Sequence, residues 1–124
     1  MASPLKVFFD GGCRPNPGAM ELAVVAGGRT HVVRDLGQGT SADAEWLALI
    51  HALEVGQSSG RDFVLMGDSA SIVGQANGTV KPRGSGIAHL ERFRALAGEA
   101  PPRIRQIKRT QNLAGIALAR LHDR

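Results

Sequence analysis

The stretch Leu5-Lys6-Val7-Phe8-Phe9-Asp10-Gly11-Gly12-Cys13-Arg14-Pro15-Asn16-Pro17-Gly18 carries an apolar run straight into a carboxylate and then into residues that favour turns. Leu5 to Phe9 reads as a central strand buried on both faces, ending at Asp10, with a tight turn from Gly11 to Gly18. The same logic recurs at Phe63-Val64-Leu65-Met66-Gly67-Asp68-Ser69. Two strands that each end on an Asp would place both carboxylates at one sheet edge if the strands are parallel neighbours.

The residues between them supply that parallel relation. Glu21 to Val25 reads as a second strand, Gly27-Gly28 as a hairpin signal and Thr30 to Leu36 as the returning strand of a meander. Thr40 or Ser41 caps a helix running through Val55 with Gly56 as its stop, and Leu49, Leu53 and Gly56 fall on one stripe. That helix serves as the crossover into Phe63–Met66 and carries Glu45 in its first turns. Beyond Asp68, Ser69 to Ala76 reads as a short helix and Val80 to Gly86 as a basic loop. Ile87, Leu90, Phe93, Leu96 and Ala97 have helical spacing. Arg103 to Arg109 reads as a partly exposed fifth strand and Leu113 to Leu121 as a closing helix. The order predicts an α/β fold, a five-stranded mixed sheet flanked by helices, in a single domain over residues 1–124.

Composition narrows the chemistry. Fifteen Lys and Arg against eleven Asp and Glu leave a charge of +4, an excess compatible with a polyanionic partner. Cys13 is the only cysteine, which excludes an intrachain disulfide and a multi-thiolate metal site and makes a reducing, cytoplasmic setting the expectation. The opening residues lack a signal-peptide pattern and no apolar run approaches membrane-spanning length, so no membrane partner is expected. A monomer is the default for such a domain.

Asp10, Glu45 and Asp68 together form an oxygen-only set. Clustered carboxylates repel one another unless protonated or neutralised by a cation. Such a set suits Mg²⁺ or Mn²⁺, and two ions about 4 Å apart can support phosphodiester hydrolysis. Each acid taken singly could equally serve as a cap, a turn residue or an ion-pair partner.

At this point the residues carry a resemblance. Asp10-Gly-Gly-Cys-Arg-Pro-Asn16-Pro-Gly18, then Thr40-Ser-Ala-Asp-Ala44-Glu45-Trp-Leu-Ala48-Leu49, then Gly67-Asp68-Ser69 with Ile72, Val73, Gln75 and Gly78, resemble the successive signatures of the ribonuclease H type 1 family. Arg109-Thr-Gln-Asn112 followed by Leu118-Ala119 resembles the last of them. The resemblance spans nearly the whole chain and implies a ribonuclease H-like fold. It implies an endonuclease that hydrolyses the RNA strand of RNA–DNA hybrids with two divalent ions, leaving 3′-hydroxyl and 5′-phosphate ends. It assigns Asp10, Glu45 and Asp68 as catalytic metal ligands. Gly11, Gly12, Cys13, Asn16, Ser41, Ser69 and Asn112 fall at substrate-binding positions, with Asn112 also supporting the last helix. Arg14, Lys81, Arg83, Lys108 and Arg109 become candidate phosphate contacts, joined by Arg103 and Arg105.

Three departures from the family pattern bear on activity. The fourth acid is missing: counting from Asn112 without a gap lands on Ile116, and a one-residue deletion lands on Gly115. The connection from Ile107 to Asn112 lacks a His-bearing loop, and Ser41-Ala42 replaces a pair of Asn residues. Asp123, Asp43 and His122 are the candidates to replace the missing acid. Asp123 lies two helical turns, about 10 Å, beyond Ile116. His122 reads more simply as solvent-facing tail. The alternative to an active enzyme is therefore a nucleic-acid-binding module with weak or absent catalysis.

Overall fold

A computed structural model describes residues 3–122. Its strands are β1 (Leu5–Cys13), β2 (Gly18–Ala26), β3 (Arg29–Val33), β4 (Gln38–Gly39), β5 (Phe63–Gly67) and β6 (Arg103–Gln106). Its helices are α1 (Ser41–Ser58), α2 (Ala70–Asn77), α3 (Gly86–Ala97) and α4 (Leu113–Arg120), with a 3-10 turn at Arg109–Gln111. The sheet runs in the order β3-β2-β1-β5-β6, with β1, β5 and β6 parallel and the meander β1-β2-β3 antiparallel. Among the described residues no helix is long and apolar enough to cross a membrane.

The sheet has six strands where the sequence predicts five. The predicted strand Thr30–Leu36 breaks because Asp35 and Gly37 take positive φ, 57° and 98°. The chain is turned so that β4 returns to pair Gly18 and Ala19 of β2. The first strand also departs from expectation. It does not end at Asp10 but continues to Cys13, because antiparallel pairing with β2 persists as far as Cys13 opposite Met20. Parallel pairing with β5 stops earlier, at Phe8 opposite Met66. Asp10 therefore projects from a strand whose β5 side has just become free, and Asp68 lies one residue past the end of β5. Likewise β6 ends at Gln106, short of the predicted Arg109.

One face of the sheet buries Val7, Phe9, Leu22, Val24 and Leu65 against Trp46, Leu49, Ile50 and Leu53 of α1, with Leu90 and Phe93 of α3 completing the core. Helix α1 begins with a capping box in which the Thr40 hydroxyl accepts from the Asp43 N–H and the Asp43 carboxylate accepts from the Thr40 N–H. The opposite face is covered by α4, through Ala114 and Leu118 against Ala23, with Phe8 and Val25 alongside.

Candidate active site

Alternation along β1 sends Asp10 to the α4 face and Gly11 to the α1 face. The absence of a side chain at Gly11 lets the first turn of α1 lie directly on the strand. A Cβ there would fall inside the van der Waals shell of the Ala44 carbonyl. The contact delivers Glu45 to the same edge as Asp10, and the Gly11 N–H donates to Glu45 Oε1 at 2.6 Å. Asp68, at the end of β5, is oriented by Asn112, whose Nδ2 donates to Asp68 Oδ2 and to the Phe9 carbonyl, both at 3.0 Å. The Asn112 Oδ1 accepts from the Ala114 N–H and caps α4. One amide thus joins β1, β5 and α4.

The outcome is a cluster in which one carboxylate oxygen from each of Asp10, Glu45 and Asp68 lies within 4.8 Å of the others. They line a cleft of about 760 Å³. Burial pushes Glu45 up to about 9, aided by the neighbouring Asp10 charge, and pushes Asp10 up to about 6. The two crowded carboxylates therefore hold a proton more readily than either would alone. Protonation is one way to relieve such crowding, and a hard cation is the other. The all-oxygen donor set, its convergence and its half-buried position fit Mg²⁺ or Mn²⁺ held by these three residues.

Both candidates for the fourth position, Gly115 and Ile116, line the cleft. A Cβ built on Gly115 would lie 3.5 Å from Asp10 Oδ2, an ordinary contact distance, so Gly115 faces the cluster. Ile116 is 39% exposed. None of the proposed replacements joins the cluster among the described residues. Asp43 is drawn away, accepting from Ser85 and Thr40 and pairing with His89, because α1 already begins at Ser41 and makes Asp43 its capping-box residue. His122 is half-buried rather than a free tail residue and pairs with Glu21, which also accepts from Arg34 at 3.2 Å. Asp123 lies outside the described residues.

Other expected site residues divide clearly. Gly11, Gly12, Cys13, Arg14, Ser41, Ser69 and Arg109 all line the cleft. Arg109 is near enough to Asp10 to lower its pKa. Asn16 is exposed, and its Oδ1 accepts from the Ser41 N–H at 3.1 Å, fixing the turn to the start of α1. Ser69 caps α2 through its hydroxyl, which accepts from the Ile72 N–H. Asn112 departs from the substrate-contact expectation: it is fully buried with its amide committed to protein partners, so it positions Asp68 and α4. Lys81, Arg83, Arg103, Arg105 and Lys108 are exposed and lie outside the cleft lining. Glu21, a cleft-lining acid, was not anticipated; its one signal is a charged residue inside the apolar run Met20–Ala26.

No family model matches the chain, and no curated protein matches it. Solved structures do. Ribonuclease H1 from the halophilic archaeon Halobacterium salinarum NRC-1 is 29% identical, with a TM-score of 0.75 over 98% of this chain and 100% of that one. LC11-RNase H1, isolated from compost by a metagenomic approach, is 26% identical with a TM-score of 0.78, again over 98% and 100%. The complex of LC11-RNase H1 with RNA/DNA hybrid matches over 88% of each chain, with 28% identity and a TM-score of 0.68. The chain has a ribonuclease H1-like fold.

Proposed function

We propose that this chain binds RNA–DNA hybrid across the cleft over Asp10, Glu45 and Asp68, as a ribonuclease H-like module whose hydrolysis of the RNA strand is weak or absent. The three-acid cluster carries this reading, because Gly115 and Ile116, the two candidates for a fourth position, both line the cleft and neither bears a carboxylate. Support for the hybrid as ligand comes from LC11-RNase H1, solved with one, and from the turn of Gly11 to Asn16, where polar groups can meet a 2′-hydroxyl.

Mg²⁺ or Mn²⁺ bound by the three acids would supply charge neutralisation at the phosphate and activation of water. The chain's own residues do the positioning. Gly11 holds Glu45, Asn112 holds Asp68, and the Arg109 guanidinium faces the place where phosphate charge would sit. With three carboxylates and no fourth, the chain would offer fewer ligands to a second ion, which would lower the rate and leave the fold intact. A monomer acting in the cytoplasm is the setting this reading assumes.

The test compares labelled RNA–DNA hybrid, double-stranded RNA and double-stranded DNA in Mg²⁺ and in Mn²⁺. Wild type should bind hybrid preferentially and cleave it slowly or not at all. Gly115→Asp should raise cleavage at least about tenfold, ~1.4 kcal/mol of transition-state stabilisation. Ile116→Asp tests the other candidate position in the same way, and Asp68→Asn in the Gly115→Asp background should abolish the gain. Wild-type cleavage as fast as that of Gly115→Asp would instead establish a full endonuclease working with three acids.

A further inference from the structure

The side chain of Asp43 gathers an unusual number of partners for a residue in a helix's first turn. Its Oδ2 accepts from the Thr40 N–H and hydroxyl, both at 3.1 Å, which is ordinary capping. Its Oδ1 reaches across to another helix, accepting from Ser85 Oγ at 2.6 Å and pairing with His89 Nε2 at 3.0 Å. Both carboxylate oxygens are thus used, and neither engages the metal-ligand cluster.

Ser85 and His89 lie one residue before and in the first turn of α3, so Asp43 ties the start of α3 to the start of α1. Two further contacts hold the same junction. The His89 ring stacks on Trp46 with centroids 6.1 Å apart and planes at 17°. Gly86 is buried where a Cβ would lie 2.7 Å from Gln75 Oε1 and 3.6 Å from Trp46 Nε1, so the entry to α3 packs closely on α1 and α2.

The segment that this junction terminates is the basic loop Val80–Ser85, whose Lys81 and Arg83 are exposed. Its other end is held by the Thr79 and Val80 N–H groups, which donate to the Gly74 carbonyl at 2.8 and 3.1 Å. The Lys81 and Arg83 side chains form no ion pair among the described residues. The loop thus carries two free cations on a short span pinned at both ends. Its downstream pin is Asp43, one residue from Ala42 of the cleft wall.

We propose that Asp43, Ser85 and His89 form a latch that holds Lys81 and Arg83 beside the α1 end of the cleft, making Asp43 a positioning residue for nucleic-acid binding. This rests on the proposed binding of hybrid. Pinned cations contact phosphate without first being ordered, so the latch acts on affinity and its salt dependence rather than on the rate at saturation.

The informative variant is Ser85→Ala with His89→Phe, which removes both hydrogen bonds to Asp43 Oδ1 while keeping the ring on Trp46 and the capping box. Asp43→Asn, which retains an acceptor oxygen, is its conservative companion. Amide hydrogen exchange over residues 79–86 and tryptic cleavage after Arg83 report loop order without any ligand. Equilibrium binding to a labelled hybrid across a salt series reports function. In the double variant, loop exchange and cleavage should rise at least about fivefold. Hybrid affinity should fall about three- to tenfold, and the salt slope should shrink by about one to two phosphate contacts. The rate at saturating hybrid should stay the same, and Asp43→Asn should fall between wild type and the double variant. Unchanged exchange and cleavage would overturn the latch, as would a loosened loop with unchanged affinity. A wild type that binds no hybrid would overturn the proposed function instead, and loop exchange would still decide whether the latch exists.

Discussion

Glu45 and Gly115 approach Asp10 from opposite faces of the sheet, on helices of very different construction. Helix α1 has 18 residues, eight of them buried, and starts in a full capping box. Helix α4 has eight residues, two of them buried, and leaves Leu113 and Ile116 largely exposed. The α1 side delivers a carboxylate held by a backbone N–H, whereas the α4 side delivers a bare glycine. The helix bearing the retained ligand cannot shift without disrupting the main core. The helix at the fourth position is attached through Asn112 and a small apolar cluster. On the proposed function, a carboxylate missing there would cost catalysis but little stability.

The two glycines facing the site offer the sharpest way to break that comparison. At Gly11 an added methyl meets the Ala44 backbone, which cannot move without displacing α1. Gly11→Ala should therefore lose about 3 kcal/mol or more in urea unfolding and separate Glu45 from Asp10. Survival of full stability would mean that the α1 side is no more constrained than the α4 side.

Acidity tests the same asymmetry at intermediate size. Asp10 and Glu45 have pKa values raised to about 6 and about 9, so between roughly pH 4 and 9 the folded state holds protons that the unfolded state has released. Stability without divalent ions should be greatest below the unfolded carboxylate range and should fall as pH rises through that window. A decline of about 4 kcal/mol from pH 5 to 8, most of it from Glu45, is the expected order in thermal or urea melts. Glu45→Gln should flatten it, and Mg²⁺ or Mn²⁺ should recover stability at the alkaline end. A flat profile in the wild type would show that the three acids do not crowd one another.

The smallest effect is expected at Gly115. Its Cβ position is open at ordinary contact distance, and alanine is the better helix former, so Gly115→Ala should gain about 0.5 kcal/mol. The same Gly→Ala change would then have opposite signs on the two sides of Asp10. Destabilisation by more than about 1 kcal/mol would instead mark α4 as tightly fitted.

Most of the fold was readable along the chain because its elements announce themselves locally. The apolar runs at Val7–Phe9 and Phe63–Met66, the Gly27-Gly28 turn and the helical spacing from Ile87 to Ala97 each correspond to an observed element. What escaped depended on pairing at a distance. Residues 11–13 look like turn material, yet β2 keeps them in the sheet. Gln38–Gly39 looks like a release from the sheet, yet positive φ at Asp35 and Gly37 returns it. Of the site, the three acids were legible as strand-end and helix-start carboxylates. The burial of Asn112, the engagement of Asp43 by α3 and the pairing of Glu21 with His122 were not, since each joins residues from distant parts of the chain.

By itself the sequence determined the three carboxylates and the absence of an acid in Leu113–Arg120. These depend only on residue type and local order. Only the tertiary structure decided that Gly115 lies beside Asp10 and that Ile116 lines the same cleft, because that depends on the rotation of α4 about its axis. Packing of Ala114 and Leu118 on Ala23, together with the Asn112 cap, sets that rotation.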